Sequence, residues 1–406
     1  MWSEIPNLRH LRAFAVVAES PSISRAAQQI HLSQPAVSQA MLKLEARIGV
    51  RLLEAGSAGK GPTPAGRLFH DRVRRALDRL AQGRQEALAA EPRKAAGGFA
   101  RFDEMVSAAQ LRALSAVAMA GNFSLAAREV GLAQPSIHRA ARDLERISGL
   151  ALFAPTPQGI VLTRAGEALA RNASLALAEL HQGLTEMGET LGRDAAQIVI
   201  GSLPLARARL LPEAINRLAR ERPRTSVRVI AAPYDGMLHR LRHGIIDFLI
   251  GALRDPLPIG DIVQQTLFED TLAVIARPGH PLARRGSVTQ DDLAAFPWVV
   301  PVEETPTRAI FNRIFPPADV ARMPGGIVET SSHTLLRGLL AGSDRLTILS
   351  TRQVADDLER GLLIALKAEL PWAHRPIGLT FRQGWRPTAT QAALLGHIRA
   401  VSGTGL

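Results

Sequence analysis

Ser33-Gln34-Pro35-Ala36-Val37-Ser38-Gln39 returns one hundred residues later as Ala133-Gln134-Pro135-Ser136-Ile137-His138-Arg139. The N–H groups of a helix's first turn have no partner within the helix, so a proline costs nothing there, and a serine just before it caps them. The stretch therefore predicts a helix starting beside Pro35 with Ser33 as its cap. A second starts beside Pro135, with the weaker cap Ala133. Upstream, Leu8, Leu11, Phe14, Ala15 and Ala18, then Leu111, Leu114 and Ala118, have helical spacing. Between lie short helices over 25–30 and 125–130, expected to be capped by Ser24 and Ser124 and closed by His31-Leu32 or Gly131-Leu132. A helix, a tight turn and a proline-started helix make a helix-turn-helix.

Working outward, residues 11–54 align with 111–154 without a gap, and 16 of those 44 positions are identical. A solenoid would show a shorter period and more copies, so this reads as a duplicated domain. Gly49 and the glycine-rich stretch from Gly56 to Gly61 predict a two-stranded wing after the third helix. Thr63-Pro64 then opens a long helix to about Ala90, with Leu68, Val73, Leu77, Leu80 and Leu88 as its apolar stripe. Thr163 opens its counterpart, with Leu169, Leu175, Leu177, Leu180 and Leu184. Arg72, Arg74, Arg75 and Arg79 read as a solvated face of the first long helix. Pro92–Gly98 and Gly192-Arg193-Asp194 read as linkers.

The whole chain has 406 residues, 46% of them hydrophobic, which bounds it to two to four globular domains. It has no cysteine, which excludes disulfides, thiolate metal sites and cysteine nucleophiles. Its net charge of +12 favours a polyanionic partner. No apolar run is long enough for a membrane span, and the first residues lack the pattern of a secretory signal, so a cytoplasmic location without membrane contact is expected. No HExxH, GxSxG or GxGxxG pattern occurs, and Gly56-Ser57-Ala58-Gly59-Lys60 lacks phosphate-loop spacing. Neither an enzyme nor a metal or organic cofactor is expected.

Leu11-x-x-Phe14, Ser24-x-Ala26-Ala27, Ser33 to Ser38, Leu44-Glu45, Gly49 and Thr63-x-Ala65-Gly66 together resemble the DNA-binding domain of LysR-type transcriptional regulators. The likeness spans about 60 residues in each copy. It implies a winged helix-turn-helix, a long pairing helix, and an effector-binding domain like a periplasmic binding protein. Gly244-x-Ile246-Asp247, His280-Pro281-Leu282-Ala283 and Val328-Glu329-Thr330-Ser331-Ser332 are similar to that family too. Two all-α winged units followed by an α/β effector domain are therefore expected: 1–91, 101–192 and 195–406. The last would divide into one subdomain of about 195–265 and 352–406 and another of about 266–351. Strands at 198–201, 227–230 and 246–251 alternating with helices predict a mostly parallel sheet. The doubled front is a departure from the family, as is the absence of its usual wing arginine, where Ala55 and Pro155 stand.

Residues 1–100 carry 15 Lys and Arg against 8 Asp and Glu, or +7; residues 101–195 carry 9 against 10, or −1. Phosphate contacts dominate non-specific affinity, so the first copy is expected to bind double-stranded DNA more strongly. Its helix from Pro35 offers Gln34, Ser38 and Gln39 to base edges, with Lys43, Arg51 and Lys60 for phosphates. The second copy offers Gln134, His138 and Arg139 from the helix at Pro135, with Arg142 behind. Arg139 suits guanine, while His138 also reads as an ordinary surface residue.

For the effector, strand ends and helix starts nominate Ser202, Leu203, Thr305, Thr307, Ser331 and Ser332. Free N–H groups beside hydroxyls suit a carboxylate or another anion, although helix capping alone accounts for a serine or threonine there equally well. The reading is a sequence-specific LysR-type regulator controlled by a small molecule and working as a dimer or tetramer, with RNA polymerase a further candidate partner. The duplication is expected either to replace tetramerisation or to keep one copy chiefly for pairing through its long helix. The alternative is a solute-binding or interaction protein whose helix-turn-helix units serve for pairing.

Overall fold

A computed structural model describes residues 5–56, 59–91, 102–157, 159–192, 196–303, 305–370 and 374–403. The two expected linkers, at 92–98 and 192–194, lie largely outside them, as does part of the glycine-rich wing tip. The chain opens with α1 (Leu8–Glu19), α2 (Ile23–Gln29), α3 (Gln34–Ile48), an antiparallel hairpin of β1 (Leu53–Gly56) and β2 (Gly59–Pro62), and α4 (Pro64–Ala90). After a short α5 (Phe102–Met105) come α6 (Ala108–Ala120), α7 (Phe123–Val130) and α8 (Gln134–Ser148). The hairpin of β3 (Phe153–Thr156) and β4 (Gly159–Leu162) follows, then α9 (Arg164–Thr190).

Local chemistry explains the recurrence. Ser33 Oγ accepts the Ala36 N–H at 3.3 Å, whereas Ala133 caps α8 with its backbone alone. The Glu45 carboxylate accepts the N–H groups of Leu52 and Leu53 at 2.7 and 3.1 Å; Glu145 does the same for Leu152 and Phe153 at 2.9 and 3.2 Å. α3 and α8 are each thereby tied to the hairpin that follows. Thr63 and Thr163 cap α4 and α9. Three residues on, a Cβ on Gly66 or Gly166 would stand 2.1 Å from the Leu52 or Leu152 carbonyl oxygen, which explains the repeated Thr-x-Ala-Gly. At the tight turn His31 adopts φ +52° where the second copy has Gly131 at +68°.

The caps of the second helices differ from expectation. Each helix starts earlier, so Ser22 and Asn122 accept its first N–H groups, and the Ser24 hydroxyl donates instead to Gln34 Oε1 at 3.1 Å. The long helices differ more. α4 and α9 run antiparallel and pack together more extensively than any other two described elements. Leu68 is exposed, and Arg72, expected on a solvated face, is only 3% exposed because that face is covered by α9.

The remaining elements are β5 (Gln197–Ser202), α10 (Leu210–Glu221), β6 (Ser226–Ile230), α11 (Tyr234–Arg242), β7 (Phe248–Ala252), β8 (Ile262–Ala276), α12 (Gln290–Ala294), β9 (Trp298–Val300) and α13 (Pro306–Ile314). They continue with α14 (Pro317–Val320), β10 (Ile327–Glu329), α15 (His333–Ala341), β11 (Thr347–Ser350), α16 (Ala355–Glu359), β12 (Ile364–Ala365), β13 (His374–Arg382) and α17 (Ala389–Gly403). The main sheet has the order β11-β8-β13-β7-β5-β6, with β12 also on β8. It is mixed rather than mostly parallel. β5 is parallel to β6 and β7, but β13 is antiparallel to β7 and β8, as are β11 and β12 to β8. The cause is β8, 15 residues long, which runs from one core into the other while β13 returns beside it. The return expected near 350 is carried by β13, from His374. Val354, Leu363 and Leu366 are still buried with the second core, around Trp298, Phe311 and Ile275. The first core gathers Ile198, Ile200, Phe248, Leu379 and Ile398.

Candidate nucleic-acid interface and effector cleft

In α3 the buried residues are Val37, Met41 and Leu44, one helical stripe. The opposite face leaves Gln34, Pro35, Gln39 and Lys43 exposed and Ser38 half-buried. In α8, Ile137, Ala141 and Leu144 face inward, leaving Gln134, Pro135, His138, Arg139 and Arg142 to line one open concave patch. The His138 ring packs against Phe123, centroids 5.2 Å apart, and Arg142 pairs with Glu145 at 2.8 Å. Arg51 is exposed ahead of the first hairpin; the Lys60 side chain lies outside the described residues.

The effector candidates divide between the two cores. Ser202 is buried at the end of β5, its hydroxyl donating to the Leu203 carbonyl. Leu203 lies so close to Gly251 that a Cβ there would be 2.6 Å from its own. Thr305 and Ser332 cap α13 and α15 through the N–H groups of Arg308 and Leu335. Ser331 is exposed just before that cap. Thr307 alone among these six accepts from a cation: Arg375 Nη1 donates to its Oγ1 at 2.8 Å. Arg375 also donates to Asp270 at 3.0 Å, and Asp270 accepts from Ser350 at 2.5 Å.

Sequence reading missed the cations where the cores meet. Arg375 lies on β13, facing the middle of β8. Arg254 stacks over the Tyr234 ring at 4.4 Å, and Arg352 over Phe268 at 4.4 Å. Burial holds the Arg254 guanidinium below its ordinary pKa, and Arg375 is near enough to repel it. The Arg352 Nη1 is buried with no hydrogen-bond partner. No local pattern marks these three, since each becomes special only through β8 and β13. Among the described residues no group of His, Asp or Glu is placed to hold a metal ion, and no helix is long and apolar enough to cross a membrane.

The two-core domain rests on the long helices. The Asp247 of Gly244-x-Ile246-Asp247 accepts the Val199 N–H at 2.8 Å. Burial raises its pKa, opposed by that bond, by Arg382 and by hydrogen bonds with Gln391 and with Gln182 of α9. Burial pushes Arg382 down to about 10 while it donates to the Leu241 and Ile246 carbonyls. Just past β13, the carbonyls of Gly384 and Arg386 accept from Arg75 at 2.8 Å and Arg72 at 3.0 Å.

Exposed helices for a nucleic-acid groove, joined to a two-core ligand-type domain, define a ligand-controlled DNA-binding protein. The profile described as "Bacterial regulatory helix-turn-helix protein, lysR family" matches residues 8–67 and 108–167, and "LysR substrate binding domain" matches 192–403. The chain is 32% identical over 400 residues to the HTH-type transcriptional regulator GalR of Pseudomonas putida, covering 98% of each. It is 26% identical over 301 residues to PcaQ of Agrobacterium fabrum, covering 74% of this chain and 96% of that one. A full-length OxyR of Pseudomonas aeruginosa has the same fold over 72% of this chain and 94% of its own, with TM-score 0.54 and 21% identity. The chain belongs to the LysR family of transcriptional regulators, and it acts as an effector-responsive, DNA-binding regulator of transcription rather than as an enzyme.

Proposed function

We propose that the front of the chain is a duplicated winged helix-turn-helix in which both copies contact DNA and the first supplies most of the affinity. The units run 1–91 and 101–192, followed by the effector domain at 195–406. The observation that carries this is the outward face of α3, with Gln34, Ser38 and Gln39 for bases and Lys43 and Arg51 for phosphates, in a region of charge +7. Gln134, His138 and Arg139 do the same on α8 with less surrounding charge. The lengths agree: the match to GalR covers nearly all of both chains, whereas PcaQ is nearly all matched by 301 residues.

The effector is a small anion, held where the two cores meet. The support is Arg375, which reaches the Thr307 hydroxyl, pairs with the buried Asp270 and lies near Arg254, and Arg352 stacked on Phe268 of β8, a surplus of cations suited to a carboxylate. Occupation would act through β13, whose start holds Arg375 and whose far end leads to Gly384 and Arg386 on the long helices. Work in the cytoplasm, as an oligomer and beside RNA polymerase, belongs to the same reading.

Binding to promoter DNA across a salt series tests it. Affinity should fall steeply with salt, and Lys43→Ala or Arg51→Ala should each reduce the slope by about 1. Weak binding that ignores salt would favour a pairing role for the helix-turn-helix units.

A further inference from the structure

We infer that α4 and α9 pair within one chain through an interface that excludes their pairing with copies of themselves, so that each chain presents α3 and α8 as one fixed, unlike pair. This rests on the two helix-turn-helix units reading DNA, but the pairing itself is independent of that reading.

The interface is built on a pseudo-twofold. A Cβ on Gly83 would stand 2.6 Å from the Cβ of Asn172, and one on Gly183 would stand 2.8 Å from the Cβ of Arg72. Each contact becomes the other when one hundred is added to one partner and taken from the other. Phe69 borders Gly183 as Leu169 borders Gly83. The backbones meet as two copies of one helix would in a symmetric dimer.

The side chains break that symmetry. Arg72 donates to Glu179 at 2.8 Å, Gln182 at 2.9 Å and Glu186 at 2.5 Å, and Arg75 reaches Glu179 at 2.8 Å. At the opposite end Glu86 accepts from Arg171 at 2.6 Å and Asn172 at 3.0 Å. The counterpart of Glu179 on α4 is Arg79, and the counterpart of Arg72 on α9 is Asn172. Pairing α4 with another α4 would leave Arg72 facing Gln82 and Glu86, but it would set Arg72 and Arg75 against Arg79 in place of Glu179 at both ends, and bring Asp71 to Glu86 in place of Arg171, so that three arginines at each end share two carboxylates. Pairing α9 with another α9 would leave the buried Glu179 facing Asn172 and Leu175, with no cation across the helices and only the buried Arg382 of its own chain nearby. Like charges and a stranded carboxylate are how an interface rejects wrong partners.

The consequence for recognition follows from sequence. One member of the pair carries Gln34, Ser38 and Gln39, the other Gln134, His138 and Arg139. An operator read by such a pair has two unlike halves, where a symmetric dimer would need a palindrome.

The test uses the full chain, which has no cysteine of its own. Glu86→Cys with Arg171→Cys places two thiols at a partly exposed ion pair, and a short bis-maleimide is added. The expected product has the mass of one chain, 43.7 kDa, with the peptides of 86 and 171 joined. The bridged protein should keep its promoter affinity within about twofold, since a constraint compatible with the working geometry removes nothing needed for binding. A product of doubled mass, bridging of Glu86→Cys alone to another chain, or no bridge would overturn the pairing. A single-chain bridge in a protein that ignores DNA would leave the pairing standing and refute the DNA reading instead.

Discussion

Arg72→Ala should loosen the front of the molecule far more than any neighbouring arginine. The side chain is 4% exposed and bonded to Glu179, Gln182, Glu186 and the Arg386 carbonyl. Burial opposes its charge, but the hydrogen bonds of Glu186 and Glu179 prevail and hold its pKa above the ordinary value. Removing one partner of a buried pair costs about 3–5 kcal/mol. Here Arg75 still covers Glu179, so Glu186 is the group left stranded, and the low end, about 3 kcal/mol, applies. A chain of several units does not unfold in one step, so hydrogen exchange in α4 and α9 is the suitable assay. Opening easier by about 3 kcal/mol means exchange roughly a hundredfold faster in those helices. Arg74→Ala is the comparison, because Arg74 is half-exposed beside Glu19 and its pair is worth about 0–1 kcal/mol. Equal exchange in the two variants would show that α4 and α9 do not depend on Arg72.

Three further outcomes follow. His243 is buried beside His239, and burial lowers its pKa to about 4 from 6.5, so the native state disfavours its protonation. The unfolded chain then binds the extra proton between pH 6.5 and 4; stability is full above that window and falls by roughly 2 kcal/mol by pH 5. His243→Gln should flatten that slope in melting curves taken from pH 7.5 to 5, and an unchanged slope would refute it. Gly66→Ala pushes a methyl into the Leu52 carbonyl and should lower the melting temperature of the helical front of the chain by several degrees, whereas Gly61→Ala, with open space around it, should not. Arg254→Leu should abolish protection of the chain by small carboxylates in a thermal-shift screen while leaving promoter affinity intact; a variant that still responds would remove Arg254 from the cleft.

Much of this was legible without coordinates, because the signals were local. The proline-started helices, Thr63 and Thr163, and the glycines after them each follow from backbone geometry within a few residues. Ser24 and Ser124 misled because a better cap stood two residues earlier, in Ser22 and Asn122. Arg72 misled for another reason: a charge on an amphipathic helix reads as solvated until a second helix covers it, and α9 lies about one hundred residues away. Arg254, Arg352 and Arg375 were invisible for the same cause. Arg375 sits on β13, Arg254 is near enough to feel it, and Arg352 stacks on Phe268 of β8, so each gains its setting only because β8 and β13 span both cores; that pairing also made the sheet mixed where alternating strands and helices predicted parallel order.

The most direct measurement is a nuclease footprint on promoter DNA of wild type beside Gln34→Ala with Ser38→Ala, and separately Gln134→Ala with Arg139→Ala. The account predicts that the first pair costs more affinity, and that each pair relaxes protection over a different half of one site. Equal or reversed losses, or both pairs acting on the same half, would contradict it.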